Sequence, residues 1–246
     1  MPVGTQGAVK GVAPAALREV GSTMVLANAY HLHQRPGEGA VESVGGLHSF
    51  MGWDGPILTD SGGYQVFSLA HRRRITDDGV TFQSTYDGSN VMLTPERVLD
   101  IQSRMGVDVA MVLDECPSDP TDRAGCEAAV EQTIRWAERS AEWRTQNAGP
   151  GLVFAIIQGG VFADLRTRCS DALAALDFDG YACGGVSVGE NKDDLRTALA
   201  ITAPMLPPDK PRYLMGVGYV DDLPAAIHAG FDMFDCVAPT REARTA

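Results

Sequence analysis

Residues 94–116 read TPERVLDIQSRMGVDVAMVLDEC. Thr94-Pro95-Glu96 combines a capping residue, a proline suited to a first helical turn and an adjacent acid, so a helix is expected to run from there to Met105. Gly106 then stops it. Residues 107–114 form a short, almost unbroken apolar run ending in Asp114, as a strand buried on both faces reads. A helix that feeds a buried strand ending in an acid is one unit of a parallel α/β fold.

The unit recurs on both sides. Apolar runs at 24–30, 56–60, 152–158, 180–187, 212–217 and 233–238 read as further strands, and residues 1–3 as the stub of another. Helical patterns fall between them at 126–146, 164–176, 192–205 and 222–229. The alternating stretches Val80-Thr81-Phe82-Gln83 and Asn90-Val91-Met92-Leu93 flank Asp87-Gly88, which predicts an antiparallel hairpin insertion. This strand count fits a (β/α)8 TIM barrel occupying 1–246 as a single domain. A doubly wound open sheet is the alternative, but no glycine-rich phosphate loop follows any strand.

Composition narrows the classes. Hydrophobic residues are 44% and charged residues 21% of 246, ordinary for a chain that buries a core. No apolar run approaches the roughly twenty residues of a membrane helix, and Met1-Pro2-Val3-Gly4-Thr5 lacks a signal-peptide pattern. A cytoplasmic location without membrane attachment is the expectation. The five cysteines are widely spaced, with no C-x-C or C-x-x-C pair, and read as reduced thiols rather than metal ligands. A net charge of −12 argues against broad grip on a phosphate backbone, so any nucleic-acid contact must be local.

In a barrel the residues to weigh are those that end the strands. Asp60 ends Ile57-Leu58-Thr59-Asp60 and leads into Ser61-Gly62-Gly63-Tyr64; Asp114 precedes Glu115-Cys116; Gln158 precedes Gly159-Gly160; Asp235 follows Met233-Phe234. Cys183-Gly184-Gly185-Val186 and Leu214-Met215-Gly216 add backbone that a flat ligand can approach closely. Taken alone, each such Asp reads equally as a helix cap or turn residue, and each Gly-Gly pair as a turn. Together, two carboxylates suit glycosyl chemistry, one attacking an anomeric carbon and one trading protons. A third carboxylate and an amide suit the edge of a purine, with Tyr64 available to stack. Composition would equally allow a sugar hydrolase or an aldolase-like barrel.

Taken together the motifs resemble the bacterial-type tRNA-guanine transglycosylase family. The resemblance rests on Met1-Pro2-Val3-Gly4-Thr5, Asn28-Ala29-Tyr30-His31-Leu32, residues 58–64, Asp114-Glu115-Cys116, Ile157-Gln158-Gly159, residues 184–190, residues 213–218 and residues 232–241, in family order across the whole chain. It implies a barrel that exchanges the wobble guanine of tRNAs with a GUN anticodon for 7-aminomethyl-7-deazaguanine, on the route to queuosine. Asp235 would be the nucleophile and Asp60 the general acid/base. Asp114, Gln158 and the Gly185 backbone would hold the purine edge, Tyr64 and Met215 would cover its faces, and Ser61, Gly62, Gly63, Cys116, Val188 and Gly216 would complete the base pocket. Gly218, Tyr219, Asp222, Thr240, Arg241 and Arg244 fall in segments that would touch RNA. No nucleotide cofactor is implied. The family's structural zinc site, a C-x-C-x-x-C cluster with a later His, has no counterpart in residues 1–246, so no metal ligand is expected here and the barrel is expected to be incomplete at both termini. The family commonly forms homodimers.

Two departures bear on activity. Glu242 stands between Arg241 and Arg244, where the family pattern has an uncharged residue, and Val186-Ser187 replaces Leu-Ala beside the substituent of the base. A catalytically silent RNA-binding or dimer-partner barrel is therefore the alternative reading of the same motifs.

Overall fold

The computed structural model describes residues 1–69, 73–186 and 192–245. In chain order, the first half consists of α1 (Pro14–Glu19), β1 (Val25–Asn28), α2 (Ala29–Gln34), α3 (Glu38–Ser43), α4 (Leu47–Met51), β2 (Ile57–Asp60), α5 (Gly63–Leu69), β3 (Arg73–Thr76), β4 (Gly79–Gln83), β5 (Asn90–Leu93), α6 (Pro95–Met105) and β6 (Val109–Met111). The second half consists of α7 (Arg123–Gln146), β7 (Leu152–Ile157), α8 (Ala163–Ala174), β8 (Gly180–Cys183), α9 (Lys192–Thr202) with a 3-10 turn at Ala203–Met205, β9 (Arg212–Leu214), α10 (Leu223–Ala229), β10 (Met233–Phe234) and α11 (Ala238–Ala243).

Seven strands form one parallel sheet in the order β1-β2-β6-β7-β8-β9-β10, the order of a barrel wound one unit at a time. Residues 1–4 occupy the eighth position. Val3 pairs parallel with Leu26, Gly4 N–H donates to Leu26 O at 2.6 Å, and on the other side the Met1 nitrogen donates to Phe234 O at 2.5 Å. Hydrogen bonds thus link each strand to its neighbour round the whole ring.

Alternation along the strands fills both faces. Val3, Leu26, Leu58, Val109, Met111, Phe154, Ile156, Ala182 and Tyr213 form one buried cluster inside the ring. Their neighbours Val25, Ala27, Ile57, Ala110, Val153, Ala155, Ile157 and Leu214 pack outward in a second cluster against the helices. With apolar residues demanded on both faces, the strands read as continuous apolar runs.

The structure trims and corrects several expectations. The run at 24–30 stops as a strand at Asn28, and Ala29–Gln34 is helical, because the Asp60 carboxylate accepts the Ala29 N–H and starts a helix there. The last strand ends at Phe234 and Ala238 opens α11. The predicted hairpin is the β4–β5 pair of a three-stranded antiparallel sheet, whose third member β3 lies across a tight turn from β4. Helix α6 has its predicted cap, with Thr94 Oγ1 accepting from Arg97 N–H at 3.2 Å. No helix among the described residues is long and apolar enough to cross a membrane.

Candidate active site

Every strand-terminal residue singled out above lies at the carboxyl end of the ring. There a pocket of about 560 Å3 opens, lined by Asp60, Asp114 and Asp235 with Tyr64, Met215 and Gly185 among its walls.

Asp60 is held by three donors. Asn28 Nδ2 and Gln65 Nε2, the latter at 2.8 Å, donate to Oδ2, and Ala29 N–H donates to Oδ1 at 3.0 Å. The Asn28 contact follows from strand register, since Asn28 and Asp60 are direct partners in the β1–β2 pair. Burial pushes the Asp60 pKa up, the three donors pull it back, the Asp235 charge raises it again, and the result is about 6.

Asp235 lies just past β10. Gly216 N–H donates to its Oδ1 at 2.7 Å and the Tyr213 hydroxyl donates to the same oxygen, while Oδ2 has no hydrogen-bond partner among the described residues. Burial raises the Asp235 pKa and these two donors oppose the rise. Burial and the Asp235 charge together hold the Tyr213 phenol protonated well beyond its usual range.

Asp114 accepts from Ser61 Oγ at 3.0 Å and from Gln158 Nε2 at 2.7 Å, and burial lifts its pKa to about 6. Gly63 lets this carboxylate approach: a Cβ there would lie 2.8 Å from Asp114 O and 2.9 Å from its Oδ1. Gly185 plays the matching part opposite, at φ +64°, where a Cβ would meet Gln158 Oε1 at 2.4 Å. That Oε1 atom is buried without a hydrogen-bond partner.

The predicted residues divide by position. Ser61, Gly62, Cys116 and Gly216 line the pocket with the three acids, whereas Gly63 and the fully buried Gln158 stand behind its wall. At the rim, Tyr219 is 48% exposed and its hydroxyl accepts from Arg241 Nη2 at 3.0 Å; both line the pocket mouth. Gly218 packs against Cys236, and Thr240 donates to Val237 O at 3.1 Å. Asp222 accepts from Lys192 Nζ at 3.2 Å at the start of α10, and Arg244 donates to Lys10 O at 3.2 Å. Val188 lies outside the described residues, as do Ser187 and Glu190 of the 184–190 motif. Among the described residues no three His, Cys, Asp or Glu side chains converge as a metal site. Asn28 and Tyr213 stand within quoted motifs but were given no role, and Gln65 directly follows the motif at 58–64.

Fold and site define a (β/α)-barrel protein with an acidic pocket at the carboxyl ends of its strands, where such barrels keep their active sites. The family model described as queuine tRNA-ribosyltransferase matches residues 1–246. Proteins named queuine tRNA-ribosyltransferase from Nostoc sp. and Solidesulfovibrio magneticus are 54% and 52% identical to the chain over 246 and 244 residues, 99% of its length in each case. One of the same name from Gloeobacter violaceus is 53% identical over 244 residues. The chain belongs to the queuine tRNA-ribosyltransferase family. It spans about 65% of the length of the Nostoc and Solidesulfovibrio relatives and 64% of the Gloeobacter one.

Proposed function

We propose that the pocket exchanges the wobble guanine of a GUN-anticodon tRNA for 7-aminomethyl-7-deazaguanine through an aspartyl-RNA intermediate. The observation that carries this reading is the unequal treatment of two acids in one pocket: Asp235 has one oxygen fixed by two donors and the other open, while Asp60 is tuned to about 6.

The wobble nucleotide leaves its stack to enter the pocket. Asp235 Oδ2 attacks C1′ of the ribose; the C1′–O bond forms, the C1′–N9 bond breaks, and the electron pair leaves with guanine, which takes a proton from the protonated acid Asp60. The incoming base then returns a proton to the Asp60 carboxylate, its nitrogen attacks C1′, and Asp235 leaves as a carboxylate. Bonds and protons balance over the cycle, so no energy source is needed. A pKa near 6 lets Asp60 serve in both directions close to neutral pH. Asp114, ionised at neutral pH, accepts from the N–H and amino groups of the base. Arg241 at the rim offers a local phosphate contact on an acidic protein.

The test is a denaturing gel of chain and tRNA quenched in the presence of a guanine analogue. A shifted RNA–protein band that is lost in Asp235→Asn is expected; a band unchanged in that variant would overturn the assignment of the nucleophile.

A further inference from the structure

Arg166, on α8, is fully buried, and its partners among the described residues are not carboxylates. Its Nε donates to Gly160 O at 2.6 Å, Nη2 to Gly184 O at 3.2 Å, and Nη1 to Cys183 Sγ at 3.5 Å. A buried guanidinium is costly to desolvate, and carbonyls plus a thiol are a weak return for stability alone. Its contacts, however, select two loops: the one that follows Gln158 and the one that carries Gly184 and Gly185. The second lines the pocket, and the first begins beside Gln158, whose Nε2 donates to the pocket acid Asp114.

The peptide joining Gly184 to Gly185 is trans and planar, so its carbonyl and its N–H point in opposite directions. Arg166 is not among the pocket-lining residues, whereas Gly184 and Gly185 are. Holding the Gly184 carbonyl back toward Arg166 therefore turns the Gly185 N–H out toward the pocket, and that N–H has no hydrogen-bond partner among the described residues. We propose that Arg166 is a positioning residue for base recognition: by its fork on Gly160 O and Gly184 O it fixes the Gly185 N–H as a donor aimed at the carbonyl of the bound purine. The guanidinium fork is required because one planar group must reach acceptors on two loops at once, which an ammonium point charge does not do.

The inference rests on the base-exchange reading of the pocket. It is tested by measuring the binding of guanine and of 2-aminopurine, which lacks the carbonyl and the N–H beside it, to the unaltered chain, to Arg166→Lys and to Arg166→Met, with thermal melts in parallel. Guanine is expected to bind about fivefold to tenfold more weakly to Arg166→Lys, the effect of one lost hydrogen bond, while 2-aminopurine binding is unchanged. An equal loss for both bases, or guanine bound as tightly by a folded variant as by the unaltered chain, would overturn the proposal. An unaltered chain with no preference for guanine would instead remove the base reading, and the proposal with it. If neither variant folds, the unaltered chain labelled with 15N-glycine gives the answer. The Gly185 amide signal, identified by its loss in Gly185→Ala, should shift with guanine and stay in place with 2-aminopurine; a Gly185 amide indifferent to guanine would overturn the proposal.

Discussion

Asp60 and Asp114 carry the pH behaviour of the site. Both fold with a carboxyl near 6, raised above 3.8 chiefly by burial. The folded state thus holds their protons more tightly than the unfolded chain, and stability falls as pH rises from about 4 to about 6. Asp114→Asn should therefore melt at a higher temperature than the unaltered chain at pH 8 and lose that advantage at pH 4, because the Gln158 amide can turn over to offer its open Oε1 to the new amide. A variant less stable at pH 8 would contradict this. Tyr213 supplies a second prediction. Among the described residues its hydroxyl bonds only to Asp235, so Tyr213→Phe should slow adduct formation by about tenfold or more, as expected for a lost bond to a charged group, and should move the acidic limb of the rate profile to higher pH. An unmoved limb would show that the phenol does not tune the nucleophile. Asp60 and Asp114 were legible because each ends an apolar run, and Asp235 because it stands as an acid within the run at 233–238. Asn28, Gln65 and Tyr213 were not, because a neutral amide or phenol gains its meaning only when register sets it against a carboxylate. Arg166 reads in sequence as one more surface arginine of an amphipathic helix, since nothing local announces that Gly159, where a Cβ would lie 2.8 Å from the Arg166 Cγ, makes room for it.

Helices and strands were legible in proportion to their periodicity. Helix α6 announced both its start and its end, and α7 to α10 followed the apolar stripe. The six-residue helices α1 to α3 carry too few turns to show a stripe, and α2 begins where a carboxylate from the neighbouring strand receives its first N–H. Strand β3, Arg73-Arg74-Ile75-Thr76, is mostly exposed and charged, so its place in the antiparallel sheet comes from pairing with β4 rather than from burial. Between elements, Glu38 ties α3 to α6. Burial alone would raise its pKa, but the His33 hydrogen bond, its own backbone N–H and the charges of His33 and Arg97 outweigh burial and bring it to about 2. With the folded value below the usual 4.5, this contribution is present above about pH 4.5 and fades as pH falls toward 2. Glu38→Gln should accordingly be less stable than the unaltered chain at pH 7, with the gap closing across that window in acid denaturation. A gap that persists unchanged at pH 2 would show that packing, not charge, links the two helices.

Across the molecule, closure of the ring is what gathers acids from β2, β6 and β10, widely separated in sequence, into one pocket. Sequence pattern supplied the strand count, but closure depends on residues 1–4 fitting between β10 and β1, a contact spanning 233 positions that no local pattern encodes. The net charge of −12 sets the scale of RNA binding. With Arg241 and Arg244 as the local cations, the dependence of log affinity on log salt should be shallow, about −1.4 to −1.8, and Arg241→Ala should reduce it by about 0.7 to 0.9. A steep slope would place many more phosphate contacts on this surface than the rim provides. Base exchange through Asp235 is the central proposal for this pocket. Its most direct test is to incubate the chain, and separately Asp235→Asn, with radiolabelled guanine and an unmodified GUN-anticodon tRNA, and to count label in the precipitated RNA. Incorporation by the unaltered chain and none by the variant is expected; no incorporation by either, or equal incorporation by both, would contradict exchange through Asp235.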